Sequence, residues 1–271
     1  MGDFFISVED LRARIGMSGA PLIYDMRRHE AYAGSSHILP TARWRDHTRA
    51  EEWSQELRQR AEVVLYCAHG HNVSQLATAV LRAKGINARA LQGGFEAWRN
   101  AGSPLIRKAA LPGRDEFKAS RWVTRLRPKI DRIACPWLIR RFIDASAQFF
   151  FVEPAHVVSV AEELPGIPYD VEGVEITHDG TLCSFDTLIN RFGIDDDPLR
   201  ELALIVRGAD TGRFELAKEA AGLLAVSLGI SALSGGDDAC ALERGFPVYD
   251  ALYAWRRHAA SETHGWPARQ N

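Results

Sequence analysis

No run of apolar residues in this sequence approaches the ~18 that cross a bilayer, so membrane insertion is not expected. The start, Met1-Gly2-Asp3-Phe4-Phe5, lacks the basic region and long apolar core of a secretion signal. Ile6 stands where a myristoylation motif needs Ser or Thr. The expectation is a cytoplasmic protein. Surplus charge of either sign is absent too. The formal net charge is -2, which argues against nucleic acid or an anionic membrane as a partner of the whole surface. No clear helix-turn-helix, internal repeat or low-complexity tract is present. The four cysteines, Cys67, Cys135, Cys183 and Cys240, are far apart and form no CxxC pair. Free thiols are expected rather than a disulfide frame.

What is present suits two ordinary globular domains: 271 residues, 46% hydrophobic and 25% charged. Residues 4–107 alternate helix and strand. Ser7 can cap a helix over Val8 to Ile15. Leu22-Ile23-Tyr24 reads as a buried strand ending at Asp25, and Thr48 to Arg60 as an amphipathic helix with acids early and Arg58 and Arg60 late. Val63-Val64-Leu65-Tyr66 is a second buried strand, which delivers Cys67 at its carboxyl end. Val73, Leu76, Ala77, Val80 and Leu81 fall on one helical face, and Gly85 ends that helix. Ala88 to Leu91 is a third strand, followed by Gly93-Gly94 and a short helix carrying Trp98. Alternation of this kind implies a parallel sheet flanked by helices, an α/β fold. Pro104, Pro112 and Gly113 mark residues 105–119 as the linker. A second domain, 118–260, reads as helix-rich α+β. Strands are expected at Arg121–Leu126 and Gln148–Val152. Helices are expected at Pro136–Asp144, His156–Glu163, Ser184–Phe192, Pro198–Arg207, Ala217–Leu228 and Val248–His258.

A thiol after a buried parallel strand and before a helix lies where open α/β sheets bind ligands. The segment Cys67-Ala68-His69-Gly70-His71-Asn72-Val73 can curl around an anion with its N–H groups inward, and the helix behind it adds partial positive charge. Both effects favour the nucleophilic thiolate. A cysteine in a strand end can equally be a small buried apolar residue; the strand–loop–helix context favours the reactive reading.

This region resembles the rhodanese family. The resemblance rests on Asp25-Met26-Arg27 with Glu30, on His37-Ile38-Leu39-Pro40, on Cys67 and Gly70 in the family's CxxGxx(R/S) loop, and on Gln92-Gly93-Gly94-Phe95-Glu96-Ala97-Trp98. It implies that Cys67 takes a sulfane sulfur as a persulfide and passes it to a thiol acceptor, with no cofactor required. It implies that Ala68, His69, Gly70, His71, Asn72 and Val73 cradle the anionic end of the donor. Asp25 and Arg27 then organise the floor of the site, or simply form a turn after the strand. Many family members carry Arg or Lys where Asn72 stands. His69 and His71 are the loop's ionisable side chains, so a dianion such as thiosulfate is held less strongly and a persulfide donor becomes plausible.

In the second domain Lys118, Arg121, Arg125, Arg127, Lys129, Arg132, Arg140 and Arg141 form a basic stretch. Such a stretch binds oxyanions or is a solvated face balanced elsewhere. Pro136 suits a first helical position, which would put Cys135 near an N-cap with a modestly activated thiol. Ser184 is a fair cap for the helix after Cys183. Asp131, Glu175, His178, Asp186 and Asp210 lie at the ends of expected elements, and mixed His and carboxylate donors suit Mn, Fe or Zn. A metal ion held by Asp131, His178 and Asp210 is the expectation set against a hydrogen-bonded structural His178.

The second region resembles the C-terminal domain of the chromate-resistance ChrB family. The matching stretches include Trp122-Val123-Thr124, Asp131-Arg132-Ile133-Ala134-Cys135-Pro136-Trp137, Cys183-Ser184-Phe185-Asp186 and Val206-Arg207-Gly208-Ala209-Asp210. The resemblance implies a role beside chromate or another oxyanion. Three readings follow: a sulfurtransferase tethered to a metal-stress domain; a non-catalytic chromate or redox sensor; and a metal-dependent activity of the second domain.

Overall fold

The computed structural model describes residues 3–57, 62–111 and 119–262. Ten strands run β1 Phe5–Ile6, β2 Leu22–Asp25, β3 His37–Ile38, β4 Arg43–Trp44, β5 Glu62–Tyr66, β6 Asn87–Leu91, β7 Ile106–Arg107, β8 Arg121–Arg125, β9 Gln148–Val152 and β10 Ile167–Pro168 among the described residues. The helices of the first half are α1 Val8–Arg14, α2 His29–Ala33, α3 Ala50–Trp53, α4 Asn72–Ala83 and α5 Gly94–Asn100. Those of the second half are α6 Asp131–Leu138, α7 Val157–Glu163, α8 Ser184–Phe192, α9 Asp197–Asp210, α10 Ala220–Ser234 and α11 Asp238–Ala254. No helix among the described residues is long and apolar enough to cross a membrane.

The first half is a five-stranded parallel sheet in the order β1-β6-β5-β2-β4. The central strand, β5, is buried from Val63 to Tyr66, as a strand covered on both faces must be. Asp25 pairs in register with Tyr66, so the residues after β2 and after β5 emerge side by side at the carboxyl edge. Ser7 caps α1 by accepting the Asp10 N–H at 3.0 Å. Gly85, at φ +77°, ends α4 as expected.

Two local expectations fail here. The stretch expected as one helix over Thr48–Arg60 is broken into a 3₁₀ turn at His47–Arg49, the short α3 and a second 3₁₀ turn at Ser54–Glu56; Arg58 and Arg60 lie outside the described residues. The buried face of α4 is Ser74, Ala77, Thr78 and Leu81, whereas Leu76 is 64% exposed. The helix turns Ser74 inward, with its hydroxyl 3.3 Å from the Cys67 sulfur, and leaves Leu76 on the outer face.

The second half has a three-stranded parallel sheet, β10-β8-β9, with the remaining helices packed around it. The start of the expected linker is ordered: β7 pairs antiparallel with β3, and Lys108–Ala110 forms a 3₁₀ turn. Pro112, Gly113 and Lys118 lie outside the described residues. One apolar core joins both halves, from Trp98 and Ile106 to Trp122, Trp137 and Phe142. Polar bonds reinforce it: the Thr41 N–H donates to the Phe142 carbonyl at 2.8 Å, and Arg43 pairs with Asp144 at 2.7 Å.

The helix expected from Pro136 begins five residues earlier, at Asp131, and carries Pro136 inside it. Proline there removes one helical hydrogen bond. Burial compensates, because Ile133, Ala134, Cys135, Trp137 and Leu138 are all fully buried. Past Leu138 the helix widens into a π turn over Ile139–Ile143.

Candidate active site

The loop after β5 is held by main chain. Gly70 has φ +70°, and a Cβ on it would stand 2.6 Å from the Gly93 nitrogen and 2.8 Å from the Leu91 carbonyl oxygen. Gly94, at φ +59°, presses so closely on the Cys67 carbonyl that a side chain there would collide with it. At both positions backbone angle and close approach require glycine. The Phe95 N–H donates to the Cys67 carbonyl at 2.9 Å and the Glu96 N–H to the Ala68 carbonyl at 3.0 Å. The start of α5 thus clamps the loop. From the other side, Gln75 Nε2 donates to the Gly70 carbonyl at 2.9 Å.

Cys67 is 6% exposed. The Ser74 hydroxyl donates to its sulfur at 3.3 Å and the His71 carbonyl lies 3.8 Å from it. The N–H groups of Ala68, His69, Gly70 and His71 donate to no backbone acceptor among the described residues. The first N–H groups of α4 lack intrahelical acceptors as well. An anion in the loop would meet them.

A cavity of about 330 Å³ opens over the sulfur, lined by Cys67, Ala68, His69, His71, Asn72 and Val73, and by Arg27, Arg28 and Ala31 across from them. Gly70 does not line it; its place is beneath, against Gly93 and Gly94. Arg28 is the residue the sequence reading missed. It precedes α2, far from the loop in the chain, and supplies an exposed cation at the rim where Asn72 does not.

Asp25 and Arg27 form the buried floor. Arg27 Nη2 donates to Asp25 Oδ2 at 2.6 Å and to the His37 carbonyl at 3.0 Å, while its Nε reaches both carboxylate oxygens. The Tyr66 hydroxyl donates to Asp25 Oδ2 at 2.8 Å. The guanidinium lies 4.1 Å above the Phe95 ring. Burial opposes the charge on Arg27, and the Asp25 carboxylate more than restores it. The surface-turn reading of this pair fails: both side chains are almost fully buried.

In the second half, Cys135 is not near an N-cap. It lies inside α6, fully buried, and donates to Asp131 Oδ1 at 3.3 Å. Burial, then the charge of Asp131, pushes its thiol well up, so the expected activation is reversed. Cys183, rather than Ser184, is the N-cap of α8, in a box with Asp186, and its thiol is likewise pushed up by burial. The basic stretch is largely consumed within the fold. Arg125 and Arg132 pair with Asp170, Arg141 with Asp250, and Arg140 donates to the Ala147 carbonyl. Arg127 donates its main-chain N–H to Asp238; Lys129 is exposed.

Asp131, His178 and Asp210 do converge. His178 Nε2 is 3.7 Å from Asp131, 3.2 Å from Asp210 and 3.6 Å from Asp170, which the sequence reading missed. Glu175 and Asp186 do not join them: Glu175 pairs with Arg191, and Asp186 caps α8 through the Cys183 N–H at 3.1 Å.

Comparison with known proteins divides the chain at the same place. Residues 7–101 match the rhodanese-like domain model and residues 122–256 the ChrB C-terminal domain model. The chain is 38% identical over 146 residues to Protein ChrB of Cupriavidus metallidurans, a match covering 53% of this chain and 43% of that protein. Among solved structures, a rhodanese-related protein from Thermoplasma volcanium is 22% identical, covering 38% of this chain and 98% of its own, with a TM-score of 0.34. A rhodanese-like domain protein from Staphylococcus aureus is 24% identical, covering 35% and 91%, with a TM-score of 0.33.

Proposed function

We infer that this chain, which joins a rhodanese-like domain to a ChrB C-terminal domain, is a sulfurtransferase that carries sulfur as a persulfide on Cys67. The observation behind this reading is the cavity over the Cys67 sulfur, lined by the Cys67 loop on one side and by Arg27 and Arg28 on the other.

The chemistry follows from the surroundings. The Cys67 thiolate attacks the outer sulfur of thiosulfate or of a persulfide. The sulfur–sulfur bond breaks, its electron pair leaves with sulfite or with the donor thiolate, and a persulfide anion forms on Cys67. A second thiolate then attacks the outer sulfur of that persulfide and releases the Cys67 thiolate. Charge is conserved in both steps. Loop N–H groups and the Arg28 guanidinium stabilise the terminal sulfur and the leaving anion. Ser74 donates to the cysteine sulfur and holds its rotamer. Arg27 shapes the floor and, locked on Asp25, does not move toward substrate.

The ChrB domain suggests that the sulfur delivered here serves thiol repair under chromate or a similar oxyanion stress. A second reading, chromate or redox sensing, is favoured by the same cationic cavity, which suits any tetrahedral dianion. The two separate on turnover. Cys67→Ser should reduce sulfur transfer from thiosulfate and from glutathione persulfide to the uncatalysed background while the thermal transition stays in place. Wild-type turnover in that variant would refute the enzyme reading. Absence of turnover in the wild type, with saturable chromate binding that Arg28→Ala weakens, would establish the sensor.

A further inference from the structure

The convergence of carboxylates on His178 is independent of Cys67. We propose that Asp131, Asp170 and His178, with Asp210 beside them, form a binding site for a divalent first-row transition-metal ion of the Mn²⁺ or Zn²⁺ class.

Asp131, Asp170 and His178 each offer an atom within 4.8 Å of the other two. The His178 Nε2 distances to the carboxylates, 3.2, 3.6 and 3.7 Å, are mostly too long for hydrogen bonds. Ligands sharing one cation at about 2.0–2.2 Å stand roughly 3.0–3.6 Å apart, depending on coordination number. The cluster is close to that spacing.

Each carboxylate is firmly held. Asp131 Oδ1 accepts from the Phe185 N–H at 3.0 Å and from the Cys135 thiol, and its Oδ2, which also accepts the Ser184 N–H, faces His178. Asp170 Oδ2 is occupied by Arg125 and Arg132. Its Oδ1 accepts the Ser184 hydroxyl and faces His178. Both oxygens of each carboxylate are therefore held by protein donors, and one of the two is also turned toward the imidazole, the way outer partners orient metal ligands. The Asp131 N–H fixes Asp210 in the same manner.

Tyr169 is fully buried and its hydroxyl has no hydrogen-bond partner. Its electrostatic neighbours are Cys135, Asp170, Arg132 and Asp131, which sets the hydroxyl beside this cluster. A water on the cation would satisfy it. Oxygen-rich donors with one imidazole select Mn²⁺, Fe²⁺ or Zn²⁺ over a thiol-seeking ion. The His178 side chain is 43% exposed against 2% for Asp131, which leaves the solvent side open for entry and for an exchangeable ligand.

The test uses the full chain purified without an affinity tag and stripped with chelator. Mn²⁺ is titrated by calorimetry and by loss of the free-ion paramagnetic resonance signal. One ion per chain is expected. His178→Ala, at a side chain that is 43% exposed, and Asp210→Asn should each weaken binding about tenfold or more with unchanged circular dichroism. Cys67→Ser should bind as the wild type does. With Co²⁺ as the probe, no thiolate charge-transfer band should appear. The proposal is overturned by non-saturable Mn²⁺ and Zn²⁺ binding at millimolar concentration, by unchanged affinity in His178→Ala, by loss of the ion in Cys67→Ser, or by a thiolate band with Co²⁺.

Discussion

The two halves of the chain hold their polar chemistry in different ways. Around Cys67 the main chain shapes the site: loop carbonyls are clamped by Phe95 and Glu96, two glycines bring the backbones together, and N–H groups are left for an anion. Around Asp131 the side chains shape it: carboxylates, anchored by arginines and helix N–H groups, turn toward one imidazole. The cysteines show the consequence. Cys67 meets a hydroxyl donor and two arginines across a cavity. Cys135 meets a carboxylate in a closed core and is held as a thiol. Cys183 does cap a helix, yet burial holds it as a thiol too, so a cysteine at a helix start is not reactive by position. The sign of the charge it faces and its access to a cavity decide its role.

The comparison is broken most severely at the floor of the first site. Arg27→Ala leaves Asp25 as a buried unpaired carboxylate and should cost about 3–5 kcal/mol, read as a lowered denaturation midpoint. A surface turn would lose less than 1 kcal/mol or so. Next comes the clamp. Gly94→Ala places a Cβ against the Cys67 carbonyl at a left-handed backbone position. It should cost about 1–3 kcal/mol and most of the sulfur transfer, whereas the same change at Gly85, where a Cβ meets open space, keeps the activity.

Ser74→Ala sharpens the comparison without disturbing the fold. Losing a hydrogen bond to the cysteine sulfur should reduce turnover roughly tenfold, and a thiosulfate assay checks it. An unchanged rate would mean that Ser74 packs and nothing more.

The smallest effect is in acid. Hydrogen bonds from Arg14 and Arg89 hold Glu62, at the start of β5, down at about 2 from its ordinary 4.5. A depressed carboxylate stabilises the fold above its unfolded pKa, and that contribution fades as pH falls from 4.5 toward 2. Asp196 in the second half is shifted upward, chiefly by burial, so protonation relieves it. Hydrogen exchange should therefore show β5 losing protection in this range before the start of α9. Loss in the opposite order would contradict this assignment.

Much of the first half was legible because its signals are local. Short apolar runs ending at Asp25 and Cys67 are strands, and Gly93-Gly94 before an aromatic pair is a tight turn into a helix. What escaped reading depends on residues meeting from distant parts of the chain. Arg28 reaches the cavity only because β2 and β5 are neighbours. Leu76 fits the apolar stripe of α4 but faces outward, while Ser74 faces Cys67. In the second half Pro136 gave a local signal that burial of α6 overrode, and Asp170 carried no signal at all. Its role comes from a left-handed backbone, φ 52°, that turns it toward Ser184 and two arginines.

The decisive measurement is to trap a persulfide on the chain. The chain is incubated with thiosulfate or glutathione persulfide, alkylated and analysed by mass spectrometry. One additional sulfur on the peptide carrying Cys67, gone when an acceptor thiol is added and absent from Cys135 and Cys183, is the predicted result. A Cys67 that stays unmodified with every donor, or a persulfide on Cys135, would contradict it.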